Sequence, residues 1–244
     1  VAALRILVVP ADDPPQETGM FASDNSRRLP AIAIIVVVLI AVLAGGGWFW
    51  LRPGPSSGYA NFPPTARGDW VAFGDSLTQG YGVPPGMDFP NRLERSLKAK
   101  GLAVAVVNAG VSGDTSAGGL SRLDWQLNDP KALPDAAIVE LGANDGLRGL
   151  STVEMEKNLD AILSKFQARN IPVLLAGMKG PRNYGAKYAA DFDAVFPRLA
   201  KTYGTLFYPF FLEGVALDPK LIQADGLHPN PAGVDVIVAR IAPM

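Results

Sequence analysis

DWVAFGDSLTQGYG, residues 69–82, decides how the rest of the chain is read. Trp70–Phe73 is a short apolar run that stops at Gly74. Asp75, Ser76 and Thr78 follow as a small polar turn. A strand that breaks at glycine into polar residues is a typical unit of an α/β sheet, where ligands collect beyond the strand ends.

The same pattern recurs downstream. Ala103–Asn108, Ala136–Leu141, Ile171–Ala176 and Thr205–Tyr208 are further strand candidates. Between them, Phe89–Lys100 places Leu93 and Leu97 four apart, and Thr115–Leu127 reads as a helix. Val153–Ala168 sets Met155, Leu159, Ile162 and Phe166 at helical spacing, and Lys187–Thr202 does so with Phe192, Val195, Phe196 and Leu199. Ala232–Ile241 is a last helix. Strand–helix alternation implies parallel strands, right-handed crossovers and helices on both faces. The expected fold is α/β: a flavodoxin-like three-layer sandwich with a five-stranded parallel sheet, preceded by one N-terminal transmembrane helix.

That helix comes from composition. The chain has 244 residues, 22 Lys+Arg against 23 Asp+Glu, and 48% hydrophobic residues. Residues 31–51 hold no charge, and 18 of those 21 residues are apolar. At about 1.5 Å per residue they span about 31 Å, the thickness of a bilayer core. Arg27 and Arg28 precede the span; Trp48, Phe49 and Trp50 lie at its far end. The arginines favour an inside N-terminus, with the rest of the chain outside. The expected location is the inner membrane, single pass, with the following domain in the periplasm. A cleaved signal is the alternative: Val42 and Ala44 form a small-residue site, although the apolar run continues to Leu51. Residues 1–28 read as a disordered extension, with Val1 and Met20 both open as the start; 29–51 is the anchor or signal segment. Residues 52–68 have linker composition, and 69–244 form the folded domain.

Several functions are excluded outright. The near-zero net charge gives no bulk attraction to nucleic acid. With no cysteine, disulfides and thiolate catalysis are absent. A single histidine rules out a multi-histidine metal site. No metal or cofactor is expected.

Four polar, glycine-rich clusters fall on one rim of the expected sheet. They are Gly74–Thr78, Asn108–Thr115, Gly142–Asp145 and Asp225–Pro229. Nucleophilic acyl transfer needs a hydroxyl, a base, a group orienting the base, and donors for an oxyanion. His228 is the only side chain that normally titrates near neutrality. Asp225 lies three residues before it, a spacing that brings a carboxylate to one imidazole nitrogen and leaves the other for a serine. Gly113 offers an unobstructed backbone N–H, and Asn144 an amide. Each has a plainer reading alone: a structural histidine, a Gly-Asp-Ser turn, a glycine of positive φ, an Asn-Asp-Gly turn. Their order at strand ends is what points to chemistry.

In that order the chain resembles the SGNH, or GDSL, hydrolase superfamily. FGDSLTQGYG (73–82), GVSGDT (110–115), GAND (142–145) and DGLHP (225–229) match its four blocks. The resemblance implies Ser76 as nucleophile and Asp225 and His228 as the rest of a triad. It also implies an oxyanion hole of Ser76, Gly113 and Asn144. VSGDTSAGGLSRL, VELGANDGLRG and GPRNYGAKY are most similar to the bacterial thioesterase I / lysophospholipase L1 / arylesterase type. That similarity implies a monomeric serine esterase acting on carboxylic esters, thioesters or lysophospholipids, with Tyr184 and its neighbours bordering the acyl pocket. An O-acetyl deacetylase of an extracytoplasmic polysaccharide and a non-catalytic acyl-binding module are the alternatives. The nucleophile of an α/β-hydrolase sits in G-x-S-x-G, and Gly74–Thr78 lacks the second glycine. Met244 follows soon after the last helix starts, so weak packing behind His228 is expected if that helix is short.

Overall fold

A computed structural model describes residues 68–244. The N-terminal extension, the anchor or signal segment and most of the linker expected from the sequence lie outside the described residues. Among the described residues, no helix is long and apolar enough to cross a membrane.

Five parallel strands form one sheet: β1 (Gly68–Gly74), β2 (Val104–Gly110), β3 (Ala136–Glu140), β4 (Val173–Ala176) and β5 (Leu206–Tyr208). Their order is β2-β1-β3-β4-β5. This is the doubly wound order in which the direction of winding reverses at β1, and a crevice opens beyond the strand ends there. The helices are α1 (Ser76–Gln79), α2 (Phe89–Ala99), α3 (Ser116–Gln126), α4 (Ala143–Leu147), α5 (Thr152–Gln167), α6 (Ala186–Tyr203) and α7 (Pro231–Ile241). With right-handed crossovers, the reversal puts α2 on one face and α3, α5 and α6 on the other. The packing agrees: α2 meets α7, while α3 meets α5 and α5 meets α6.

Burial explains the strand patterns. Every residue of β3 and β4 is buried, as expected of central parallel strands covered on both faces. Helix starts are set by side-chain caps. Asp88 accepts the Asn91 N–H, Thr115 that of Gly118, Ser151 that of Glu154, and Asn230 that of Gly233. α6 runs through Pro197, which removes a helix hydrogen bond. The helix persists because its buried face includes Phe192, Val195, Phe196 and Leu199. Each such side chain contributes about 1.5–3 kcal/mol on burial.

Most expected boundaries fall within two residues of those observed. β1 starts two residues early, at Gly68, and β4 starts two late, at Val173, because Pro172 has no N–H for the ladder. Two short helices, α1 and α4, stand where the sequence suggested turns. α7 has three turns and buries Val234, Ile237, Val238 and Ile241, so the element that follows His228 is well packed.

Register places the strand ends level. Gly74 pairs with Gly110 on one side and Glu140 on the other; Glu140 pairs with Ala176, and Ala176 with Tyr208. The loops after β1, β2 and β3 therefore leave the sheet side by side.

Candidate active site

Ser76 is the first residue of α1, directly beyond β1. The Ser76 hydroxyl and His228 Nε2 are 2.9 Å apart, and His228 Nδ1 is 2.6 Å from Asp225 Oδ2. Nδ1 faces a carboxylate, so it carries the proton and donates; Nε2 is then the acceptor for the Ser76 O–H. Asp225 Oδ1 accepts the Leu227 and His228 N–H groups at 2.9 and 3.1 Å. The Leu227 N–H first, and then the imidazole, hold the Asp225 carboxyl down at about 2. Gln223 steadies this loop: its N–H donates to the His228 carbonyl, and its side chain bridges the carbonyls of Tyr81 and Pro229.

Gly113 has φ +83°, a conformation that suits glycine. Its carbonyl accepts from Arg148 Nη2 at 2.9 Å. The Asn144 amide is more committed than the sequence suggested. Nδ2 donates to Asp75 Oδ2 at 3.1 Å and to the Asp114 carbonyl at 2.9 Å. The neighbouring Asp145 takes the Ser116 N–H and hydroxyl at 2.7 and 2.6 Å. The segments after β2 and β3 are thus tied together by four polar contacts, counting the one from Arg148 to Gly113. Asp75 is fully buried and also accepts the Leu77 N–H at 3.0 Å; burial pushes its carboxyl up to about 6.

Ser76, Gly113, Asn144, Asp225 and His228 all line one cavity of about 460 Å³. That size suits a small-molecule site. With this geometry in place, comparison with known proteins becomes decisive: residues 72–236 match the GDSL-like lipase/acylhydrolase family model. The chain belongs to this family. It is 39% identical over 173 residues to esterase TesA of Pseudomonas aeruginosa, covering 71% of this chain and 85% of that one. It is 40% identical over 169 residues to thioesterase 1/protease 1/lysophospholipase L1 of Escherichia coli K12, covering 69% and 79%. The crystal structure of AlinE4, an SGNH-hydrolase family esterase, superposes with a TM-score of 0.63 at 48% identity, covering 73% of this chain and 94% of that one. This GDSL protein is a carboxylic ester hydrolase.

The rest of the hydrolase cavity is largely apolar. Leu147, Met178, Phe210, Leu212 and Leu227 contribute to its wall. Tyr184 does not line it, against expectation. Its hydroxyl donates to the Leu147 carbonyl at 3.0 Å, and its ring packs beside Tyr188. Tyr184 therefore supports a wall residue, while its neighbours Lys179 and Pro181 face the cavity. Reading the sequence alone also missed Tyr81, whose ring lies over His228 with centroids 4.6 Å apart. It missed Glu140 as well. The signal there was a carboxylate ending the otherwise apolar AAIVE strand.

Proposed function

We propose that the protein is a serine esterase in which Ser76 is the nucleophile, His228 the base and Asp225 the group that orients it. The unbroken contact from Ser76 Oγ through the imidazole to Asp225, at the wall of an apolar cavity, carries this reading. Nε2 takes the hydroxyl proton as Oγ attacks the acyl carbonyl. The N–H groups of Ser76 and Gly113 and the Asn144 amide meet the oxyanion, with Asn144 sharing one of its two present contacts. The imidazolium gives its proton to the departing alkoxide or thiolate, leaving an acyl-serine. Water then attacks that ester, its proton passing to Nε2 and on to Ser76 as the acid departs.

Leucine, methionine and phenylalanine around the cavity favour an acyl chain longer than acetyl. This is an observation that weighs against the polysaccharide deacetylase. With residues 29–51 as a membrane anchor and the domain facing the periplasm, lysophospholipids and other membrane esters are the substrates within reach. The test is hydrolysis of 4-nitrophenyl esters of increasing chain length by the full chain and by Ser76→Ala. Ser76-dependent activity that persists at medium and long chains is expected. Activity confined to the acetate, or retained by Ser76→Ala, would refute the reading.

A further inference from the structure

Glu140 takes no part in the chemistry above, yet it is fully buried directly under the turn that presents Ser76. It ends β3 beside Gly74, its register partner. Its Oε2 accepts the Thr78 hydroxyl at 2.8 Å, and the carboxyl also faces the backbone N–H groups of Asp75 and Thr78. Its other oxygen, Oε1, is buried without a partner. The fit is close enough to dictate a neighbour. A Cβ on Gly74 would meet Glu140 Oε2 at 2.7 Å and the Glu140 carbonyl oxygen at 2.6 Å. Gly74 is therefore glycine because Glu140 and Thr78 fill its side-chain space.

The carboxyl sits next to a second one. Asp75 accepts the Leu77 N–H on one oxygen and the Asn144 amide on the other. Two adjacent buried carboxyls do not both ionise readily. Asp75 has a donor on each oxygen, so it is the better-stabilised anion; Glu140, with Oε1 unpartnered, is the weaker acid and keeps its proton. The other charges around the pair are Asp114, His228 and Arg122. Asp114 and His228 act on Asp75. Arg122 approaches from α3, bonded to the Gly74 carbonyl and to Asp114.

We propose that Glu140 is a positioning residue for the nucleophile: its buried carboxyl, carried as the neutral acid, organises the Gly74–Thr78 turn and leaves Asp75 as the anion that holds Asn144. Burial first, then the neighbouring Asp75, pushes the Glu140 carboxyl well above the carboxylate range, in line with this assignment. The role rests on the serine-esterase reading, since it acts through Ser76 and Asn144.

The experiment uses the full chain and 4-nitrophenyl butyrate. Glu140→Gln keeps the shape and neutrality, with its amide oxygen accepting from Thr78, and is expected to hold kcat/KM within about threefold. Glu140→Leu is expected to lose about 10²-fold in kcat with little change in KM, because a misplaced reacting atom costs on that order. As the solution is made more alkaline, the wild-type rate should fall relative to Glu140→Gln, since only the wild type carries a buried carboxylic acid that can ionise. Three results overturn the proposal: Glu140→Gln as damaged as Glu140→Leu, Glu140→Leu as active as wild type, or a wild-type to Gln rate ratio independent of pH. If Glu140→Leu does not fold, Thr78→Val decides. Several-fold lower kcat at unchanged KM supports the role, and wild-type kcat removes it. Activity in Ser76→Ala would refute the esterase reading itself, a failure distinct from any of these.

Discussion

Gly74→Ala is the sharpest test of how the nucleophile turn is built. The added methyl would sit 2.6 Å from the Glu140 carbonyl oxygen and 2.7 Å from Glu140 Oε2, and would collide with the Thr78 hydroxyl. Ordinary contact begins at 3.4 Å, so the gap to that carbonyl must open by 0.8 Å. The carbonyl belongs to a central strand held by β1 and β4, and it cannot swing aside as a side chain would. Overpacking of this kind costs about 1–3 kcal/mol. For a domain of this size that lowers Tm by roughly 3–10 °C. Ser76 lies two residues on, so a displacement of this order also reaches its hydroxyl, and kcat should fall by about 10- to 100-fold. Gly101→Ala is the control: Gly101 has φ +83° with nothing within 4 Å of an added Cβ, so only backbone strain of about 1–2 kcal/mol is expected, with kcat unchanged. Thermal unfolding and ester hydrolysis measured side by side separate the two. Wild-type kcat and Tm in Gly74→Ala would refute the steric account.

Asn144→Ala should lower kcat by about 10²–10³ with KM nearly unchanged, read from initial rates on 4-nitrophenyl esters; an equal loss in KM would mean that it binds substrate instead. Asp75 gives opposite pH trends for stability and rate. Its folded pKa is raised from 3.8 to about 6, so the folded state holds the proton more tightly, and its contribution to stability falls as pH rises between those values and is flat above. The rate moves the other way, since the anion holds Asn144 and is lost as pH falls through about 6. Asp75→Asn should flatten the Tm profile in this window; an unchanged profile sinks the assignment. Tyr81→Leu removes the ring over His228 and should cost kcat a few-fold through lost stabilisation of the imidazolium, whereas Tyr81→Phe should be near wild type. Equal kcat in the Leu and Phe variants would exclude that contribution.

The strand and helix order was legible because it rests on local patterns: short apolar runs broken by glycine or polar residues, and period-3.6 stripes between them. The four polar clusters were legible for the same reason, and their order was enough to place the chain in its family. α1 and α4 escaped because four- and five-residue helices carry too little periodicity to separate from turns. Tyr184 was misplaced because a loop residue's position within a block does not say which way its ring turns. In the fold it turns to Leu147 and Tyr188.

What sequence determined, then, is an α/β chain with hydroxyl, glycine, amide, carboxylate and imidazole gathered at strand ends. Only tertiary structure decided how they meet. Ser76 and His228 touch across 152 positions of sequence, and Thr78 and Glu140 across 62. Those contacts depend on strand order and on the register that sets Gly74 level with Glu140. The tie between Asn144 and Asp75, the ring of Tyr81 over the imidazole and the acid beneath the nucleophile turn follow from that register. Local propensity acts over a few residues, whereas distances between strand ends are set by packing of the whole sheet.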